Sequence, residues 1–369
     1  MTPQTNRREF FKTISAATAA VALPRVLPAA PKPAAVKPPR RPQAKPNVII
    51  IYADDQGYGD LSCYGATKLK TPHLDRMAAE GMKFTDFYVT APVCSPTRSS
   101  LMTGCYPRRI GMHQHVLFPH STRGMNPSEV TLAELLKKAG YATACVGKWH
   151  LGHQTKFLPT RQGFDYYYGI PFSNDMWLPA GMTYAKDADL PADLDLDDAK
   201  RKTGERKRST VPLMRNEEVI EYPAKQAELT ERYTKEVVKF ITANKDKPFF
   251  VYLPHTMPHY PLRISEKFKG KSQGGLFGEV IECIDWGVGQ ILATLKKLGL
   301  DRDTLVVYTS DNGPAAGSAG PLRGKKGSTW EGGMREPCLM RWPGTIPAGK
   351  VCGELATIMD LLPTVAKLA

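Results

Sequence analysis

Several short stretches of this sequence carry side chains that could do chemistry. NVIIIY runs into Asp54-Asp55, and TLVVYTS runs into Asp311-Asn312. Three carboxylates and an amide are hard oxygen donors. Brought together without cations, the carboxylates would repel and raise one another's pKa. A divalent ion resolves that conflict, and oxygen-only ligation suits calcium or magnesium rather than zinc. Taken singly, Asp54 or Asp311 could equally cap a following helix or turn.

Cationic groups recur at similar places. ATACVG leads into Lys148-Trp149-His150, PFFVYL into a loop with His255 and His259, and LRGKKGSTWEGG holds Arg323, Lys325 and Lys326. Such groups would balance the carboxylates and hold a tetrahedral anion. A glycine-rich basic loop can approach an oxyanion closely, or it can be no more than a flexible basic loop. Lys148 and His150, at i and i+2 on a strand end, would point to one side. PVCSPTRSSLMTG sets Cys94 in a small polar turn at a helix start, with Pro96 and Arg98 following. A buried structural cysteine sits among apolar neighbours. A reactive one wants an electropositive, partly open setting, and this pattern offers it.

The elements that must position these groups share one pattern. NVIIIY, ATACVG, PFFVYL and TLVVYT are nearly all apolar and end abruptly in polar residues. They read as strands of a parallel sheet buried on both faces. Between them, TLAELLKKAG has Thr131 and Glu134 spaced as a capping box and Gly140 as its stop. PHLDRMAAEG, RYTKEVVKFITANK and EVIECIDWGVGQILATLKKLG are also helical in period. The fold class is therefore α/β, a large, mostly parallel central sheet flanked by helices. In such sheets ligands bind beyond the carboxyl ends of the strands, where all the polar clusters fall. Residues 183–225 break the pattern with a charged run and read as a mobile surface insertion.

The 369 residues suffice for one large core. No apolar run reaches the roughly 18 residues of a membrane span. At the N-terminus, Arg7-Arg8 followed by Phe10, Phe11, Lys12 and a short apolar stretch resembles a twin-arginine export signal over residues 1–30. The Pro/Ala/Lys-rich residues 31–46 form a linker. The first 46 residues hold nine Lys/Arg against one Glu, so eight of the fourteen formal positive charges lie there and six remain on the body. That mild excess suits an anionic substrate, and no nucleic-acid motif accompanies it. The seven cysteines show no CxxC and no zinc spacing, and an odd count leaves at least one thiol over.

The motifs together resemble the sulfatase family, within the alkaline-phosphatase superfamily. Cys94-Ser95-Pro96-Thr97-Arg98 through Met102-Thr103-Gly104 is similar to the sulfatase signature, with Met102 where leucine is usual. NVIIIYADDQGYGDLSCYG, VTLAELLKKAGYATACVGKWHLG, FDYYYGIPFSND, YTSDNGP and GKKGSTWEGGMREP extend the likeness over almost all of residues 47–369. The resemblance implies a catalytic domain over 47–369, with the family's usual small C-terminal α+β domain absent after DLLPTVAKLA. It implies an arylsulfatase-like sulfuric ester hydrolase acting on an aryl sulfate or sulfated carbohydrate. Cys94 would be oxidised to formylglycine by a separate maturing enzyme. One hydroxyl of the hydrated aldehyde would attack sulfur, and the second would allow sulfate to leave.

Residue roles follow by matching position. Asp54, Asp55, Asp311 and Asn312 would hold one calcium ion, touched also by residue 94. Arg98 would fix the diol, Lys148 and Lys326 would bind sulfate, His150 would take the diol proton, and His259 would serve as the acid for the leaving oxygen. Ser173 would contact sulfate, with His255 and Lys325 as the alternatives to His259 and Lys326. The twin-arginine signal implies passage through the twin-arginine translocase and a periplasmic or extracellular bacterial location. Two other readings stay open: a phosphate or phosphonate ester hydrolase of the same superfamily, and a non-catalytic anion-binding protein in which Cys94 is unmodified.

Overall fold

The computed structural model describes residues 45–192, 194 and 209–369. The export-signal expectation, and the linker up to residue 44, lie outside the described residues. In chain order the strands are β1 (Asn47–Ala53), β2 (Met82–Phe84), β3 (Phe87–Tyr88), β4 (Ala142–Val146), β5 (Tyr166–Gly169), β6 (Thr183–Asp189), β7 (Leu213–Arg215), β8 (Glu218–Glu221), β9 (Phe249–Pro254), β10 (Thr304–Ser310), β11 (Cys338–Arg341), β12 (Lys350–Cys352) and β13 (Ala356–Thr357). Eleven of them form one sheet in the order β12-β2-β11-β10-β1-β9-β4-β5-β7-β8-β6, and β3 pairs with β13 apart from it. The centre, β10-β1-β9-β4-β5, is parallel throughout. Antiparallel β11 and β7 flank it.

Both faces of this centre are covered, which is why its strands read as unbroken apolar runs. Along β1, Ile49, Ile51 and Ala53 enter one core and Val48, Ile50 and Tyr52 the other. The first core takes in Tyr233, Val237 and Ile241 of the helix Leu229–Ala243 and Ile284, Val288 and Ile291 of the helix Gly275–Leu298. The second takes in Leu101 and Met102 of the helix Cys94–Thr103 and Leu132 and Leu136 of the helix Leu132–Lys138. Each fully buried Val, Ile or Leu contributes about 1.5–3 kcal/mol of transfer free energy. The Thr131/Glu134 capping box forms as the spacing predicts.

One expectation is corrected. Residues 183–225 are not merely a surface insertion, since β6, β7 and β8 within them extend the sheet. Val211, Leu213, Met214 and Val219 are buried. The β7–β8 turn is set by Asn216, at a left-handed φ of 54°, whose Oδ1 accepts the Tyr167 N–H at 3.1 Å. The neighbouring charged run hid these few apolar positions in the sequence.

Candidate active site

The five central strands point their carboxyl ends the same way, so the segments after them meet at one rim. Asp54 and Asp55 follow β1, Asp311 and Asn312 follow β10, His255 and His259 follow β9, Lys148 and His150 follow β4, and Ser173 follows β5. Cys94 is the first residue of its helix, entered from extended Val93. Gly147, at φ 135°, makes the turn after β4 possible: a Cβ there would lie 1.8 Å from the Pro254 carbonyl oxygen. That close approach lets the Lys148 N–H donate to Pro254 O at 2.7 Å.

Oxygen atoms of Asp54, Asp55 and Asp311 and the Cys94 sulfur all lie within 4.8 Å of one another, all buried. Three cations meet them. Arg98 Nη2 and Nε sit 2.7 and 3.0 Å from Asp311 Oδ2, and Nη1 donates to Lys148 O at 2.9 Å. Lys148 Nζ lies 2.5 Å from Asp54 Oδ2 and 3.5 Å from Cys94 Sγ. Lys326 Nζ lies 2.7 Å from Asp55 and 3.8 Å from Cys94 Sγ. Burial pushes the Asp54 carboxyl up, but Lys148, His259 and Arg98 outweigh it and hold it below its usual value. Burial, with Asp311 adding, pushes the Cys94 thiol well above the usual range against the pull of Lys148.

Asn312 Nδ2 donates to Asp55 Oδ1 at 2.8 Å. Its Oδ1 is buried and has no hydrogen-bond partner among the described residues. Three close carboxylates plus an orphaned amide oxygen form a hard-donor set, which fits a divalent ion. His259 Nε2 is 3.7 Å from Asp55 Oδ2, and its Nδ1 meets Asn174 Oδ1 at 3.0 Å. Both ring nitrogens of His255 are buried without hydrogen-bond partners among the described residues, and burial pushes its pKa down to about 3. Lys325 is exposed, and Lys326 is the lysine that reaches the cluster. Ser173 is buried, and its carbonyl accepts from Met176 N–H at 3.1 Å.

Two expectations need correction in detail. Cys94 is not in a partly open setting, being 1% exposed. Helix Cys94–Thr103 is buried along its whole length, so its small residues serve close packing as much as accessibility. Lys148 and His150 are not related by strand alternation, because β4 ends at Val146 and His150 takes a left-handed φ of 59°. His150 Nε2 faces the Leu117 carbonyl at 2.9 Å. Burial, then Lys148 and Arg98, drive its pKa well down.

Sequence reasoning missed three residues. Asn174 orients His259 and sits inside the quoted GIPFSND. Asp60, in DDQGYGD, accepts from Gly57 N–H at 2.8 Å and Ser318 N–H at 2.7 Å, tying the loop after β1 to the loop after β10. A Cβ at Gly317 would meet Asp60 Oδ2 at 2.0 Å, so only glycine fits beside that latch. Glu336 is fully buried with both carboxyl oxygens unpartnered among the described residues. Burial, with Asp311, Asp55 and Asp60, pushes its pKa well up. Only GKKGSTWEGGMREP as a whole pointed toward it.

A mostly parallel sheet with carboxylates, cations and a thiol gathered at its carboxyl-end rim defines an alkaline-phosphatase-like α/β protein. The family model Sulfatase matches residues 46–369. The chain is 42% identical over 334 residues to human arylsulfatase A, covering 88% of this chain and 64% of that protein. It is 39% identical over 408 residues to mouse (Mus musculus) steryl-sulfatase, covering 93% of this chain and 64% of that one. The chain thus spans just under two thirds of the length of these curated relatives. Among solved structures, Ps i-CgsB aligns with a TM-score of 0.75 and 35% identity, over 88% of this chain and 72% of that one. The chain belongs to the sulfatase family.

Proposed function

We propose that this chain carries the catalytic centre of a formylglycine-dependent sulfatase that hydrolyses sulfate esters to alcohol and inorganic sulfate. The observation that carries this reading is the place of Cys94: the helix start sets its sulfur 3.5 Å from both Asp54 Oδ1 and Lys148 Nζ, inside the acidic cluster. Asp54, Asp55, Asp311 and Asn312 would hold one divalent cation: the oxygen donors suit calcium or magnesium, and the family resemblance favours calcium. Such an ion would lower the pKa of a hydroxyl on an aldehyde hydrate formed at position 94, and the hydrate's second hydroxyl would allow sulfate release.

The remaining work falls to the chain's own side chains. Lys148 and Lys326 flank position 94 on two sides and can turn from Asp54 and Asp55 to sulfate oxygens. Arg98 is locked by Asp311 and the Lys148 carbonyl and holds the cluster's geometry. His259, whose Nδ1 faces the Tyr260 carbonyl at 2.6 Å and Asn174 Oδ1 at 3.0 Å, turns Nε2 to the cluster, where the doubly protonated ring would be the proton donor for the leaving oxygen. His150 sets Nε2 against the Leu117 carbonyl, so Nδ1 is the atom that would take the diol proton in this reading. Ser173 lies near the sulfate by position alone. Relatives named for aryl, steryl and N-acetylgalactosamine-6-sulfate esters, and a Ps i-CgsB structure in complex with a neocarrahexaose, support an aryl sulfate or sulfated carbohydrate as substrate. A maturing enzyme acting on Cys94, and export through the twin-arginine translocase to the periplasm or beyond, complete the proposal.

The deciding experiment pairs a mass measurement with a rate. The peptide spanning Cys94 should show the aldehyde in place of the thiol. The same preparation should hydrolyse 4-nitrophenyl sulfate faster than 4-nitrophenyl phosphate and lose that activity to a calcium chelator. A peptide that always alkylates as a free thiol would refute the reading, and a preference for phosphate would favour the phosphoester hydrolase.

The Asp60 latch gives a second prediction. Asp60→Ala leaves the Gly57 and Ser318 N–H groups unpaired and frees the two loops that carry the cation ligands. Losing such an outer support typically weakens metal binding about 10–100-fold. Calorimetric calcium titration should show that loss, with Asp60→Asn intermediate. Equal calcium affinity in all three proteins would remove Asp60 from the site.

A further inference from the structure

The cavity beside Arg341 is not the best candidate for a second site. It measures about 850 Å³ and mixes Arg76, Lys296, Arg302 and Arg341 with Glu80 and Asp301. Its Arg341 is already paired with both carboxylates at 2.7–3.0 Å. A smaller cavity of about 360 Å³ differs in charge. Gln114, His115, Thr122, Arg123, Asn126 and Lys156 contribute to its wall, and no carboxylate lines it. Arg123 Nη1 donates to Gln114 Oε1 at 2.8 Å, which orients the guanidinium. Lys156 Nζ sits 4.8 Å from the Phe157 ring centroid. Among the described residues neither cation is paired with an acid. Both are exposed, as is His115.

This cavity adjoins the proposed catalytic centre. Leu117, part of its wall, donates its N–H to Ser95 Oγ at 3.1 Å and accepts from His150 at 2.9 Å. Ser95 is the residue after Cys94, so Leu117 links the cavity wall to the centre. From His115 in the cavity wall, a chain of aromatic contacts continues through Phe118 and His120 to Trp177, with centroids 5.5, 5.6 and 6.3 Å apart. Trp177 stands three residues after Asn174, the partner of His259. Aromatic edges flanked by polar side chains suit a sugar ring, which is part apolar face and part hydroxyl. An uncompensated cationic pocket of this size suits a charged substituent on such a ring.

We infer that this cavity is a second anion subsite, taking a sulfate or carboxylate borne on the sugar unit next to the one whose sulfate ester is cleaved. The substrate is then a polyanionic glycan, an inference that rests on the proposed sulfatase reading. The scissile sulfate lies at position 94, the neighbouring ring runs along the Phe118–Trp177 edge, and its anion meets Arg123 and Lys156.

The test uses the full chain and the Arg123→Ala/Lys156→Ala double variant, both changes being on exposed side chains. Binding of disulfated disaccharides from chondroitin, heparin and carrageenan is measured by calorimetry, alongside 4-nitrophenyl sulfate turnover. The variant should bind the best disaccharide about tenfold more weakly, with a flatter salt dependence, while 4-nitrophenyl sulfate turnover stays within about twofold. Equal binding by both proteins, equal loss on both substrates, no disaccharide binding by the parent chain, or inorganic sulfate alone binding as tightly as the disaccharide would each overturn the inference. Failure of the sulfatase reading shows separately, as a parent chain that binds disaccharide but turns over no sulfate ester.

Discussion

Replacing Cys94 by serine is expected to cut steady-state turnover of 4-nitrophenyl sulfate on the order of 10³-fold or more, as removal of an attacking group does elsewhere. The fold should stand. Serine is close to cysteine in size, the helix Cys94–Thr103 is held by burial along its length, and a hydroxyl can keep the contacts to Asp54 and Lys148 now made by sulfur. The melting temperature should therefore move little. The loss follows from oxygen count. A hydrated aldehyde offers two hydroxyls on one carbon, one to attack sulfur and one whose deprotonation expels sulfate by breaking the C–O bond. Serine offers one. It can still take the sulfuryl group, with the alcohol leaving, but it then has no internal way to release it. The expected time course is a single burst of 4-nitrophenol followed by a stall, with the sulfated serine visible in the peptide mass. Steady turnover near the parent rate would show that the aldehyde is not the working group.

Much of this rim was legible in the sequence because a parallel sheet couples two signals. An apolar run such as TLVVYT locates a buried strand, and the polar residues that end it must lie at the ligand-binding edge. That logic brought Asp54, Asp55, Asp311, Asn312, Lys148, His255 and His259 to one edge, and the family resemblance chose His259 over His255. It could not see the backbone past the strand ends. His150 turns by a left-handed φ, which no periodicity encodes. The choice between Lys325 and Lys326 depends on a loop whose Lys326 N–H donates to Pro314 O at 3.1 Å. Asp60 and Glu336 stayed hidden because their roles lie in what surrounds them, backbone N–H groups for one and buried neighbours for the other. The strands β7 and β8 were lost to sight because few apolar residues stand beside a long charged run.

Removing Arg98 should have the largest effect on stability, and the size of that effect should depend on the cation. Arg98 is wholly buried, gives two nitrogens to Asp311 Oδ2, a third to the Lys148 carbonyl, and lies 3.5 Å from Asp54 Oδ1. Arg98→Ala leaves the buried Asp311 carboxyl without its main counter-charge. Breaking one side of a buried pair costs about 3–5 kcal/mol. Arg98→Lys should recover little, because one ammonium cannot reproduce the guanidinium's fork across Asp311 and the Lys148 carbonyl. If the carboxylates are cation ligands, the same excess negative charge favours calcium. The variant should therefore unfold at a markedly lower temperature than the parent in chelator, and millimolar calcium should restore much of the difference. Binding stabilises only the state that binds, by an amount that grows with ligand concentration over Kd. Thermal unfolding of both proteins with chelator and with calcium decides the matter. An equal calcium shift in parent and variant would mean that Arg98 and the ion do not share these carboxylates. No loss of stability in chelator would mean that the buried acids find their compensation elsewhere.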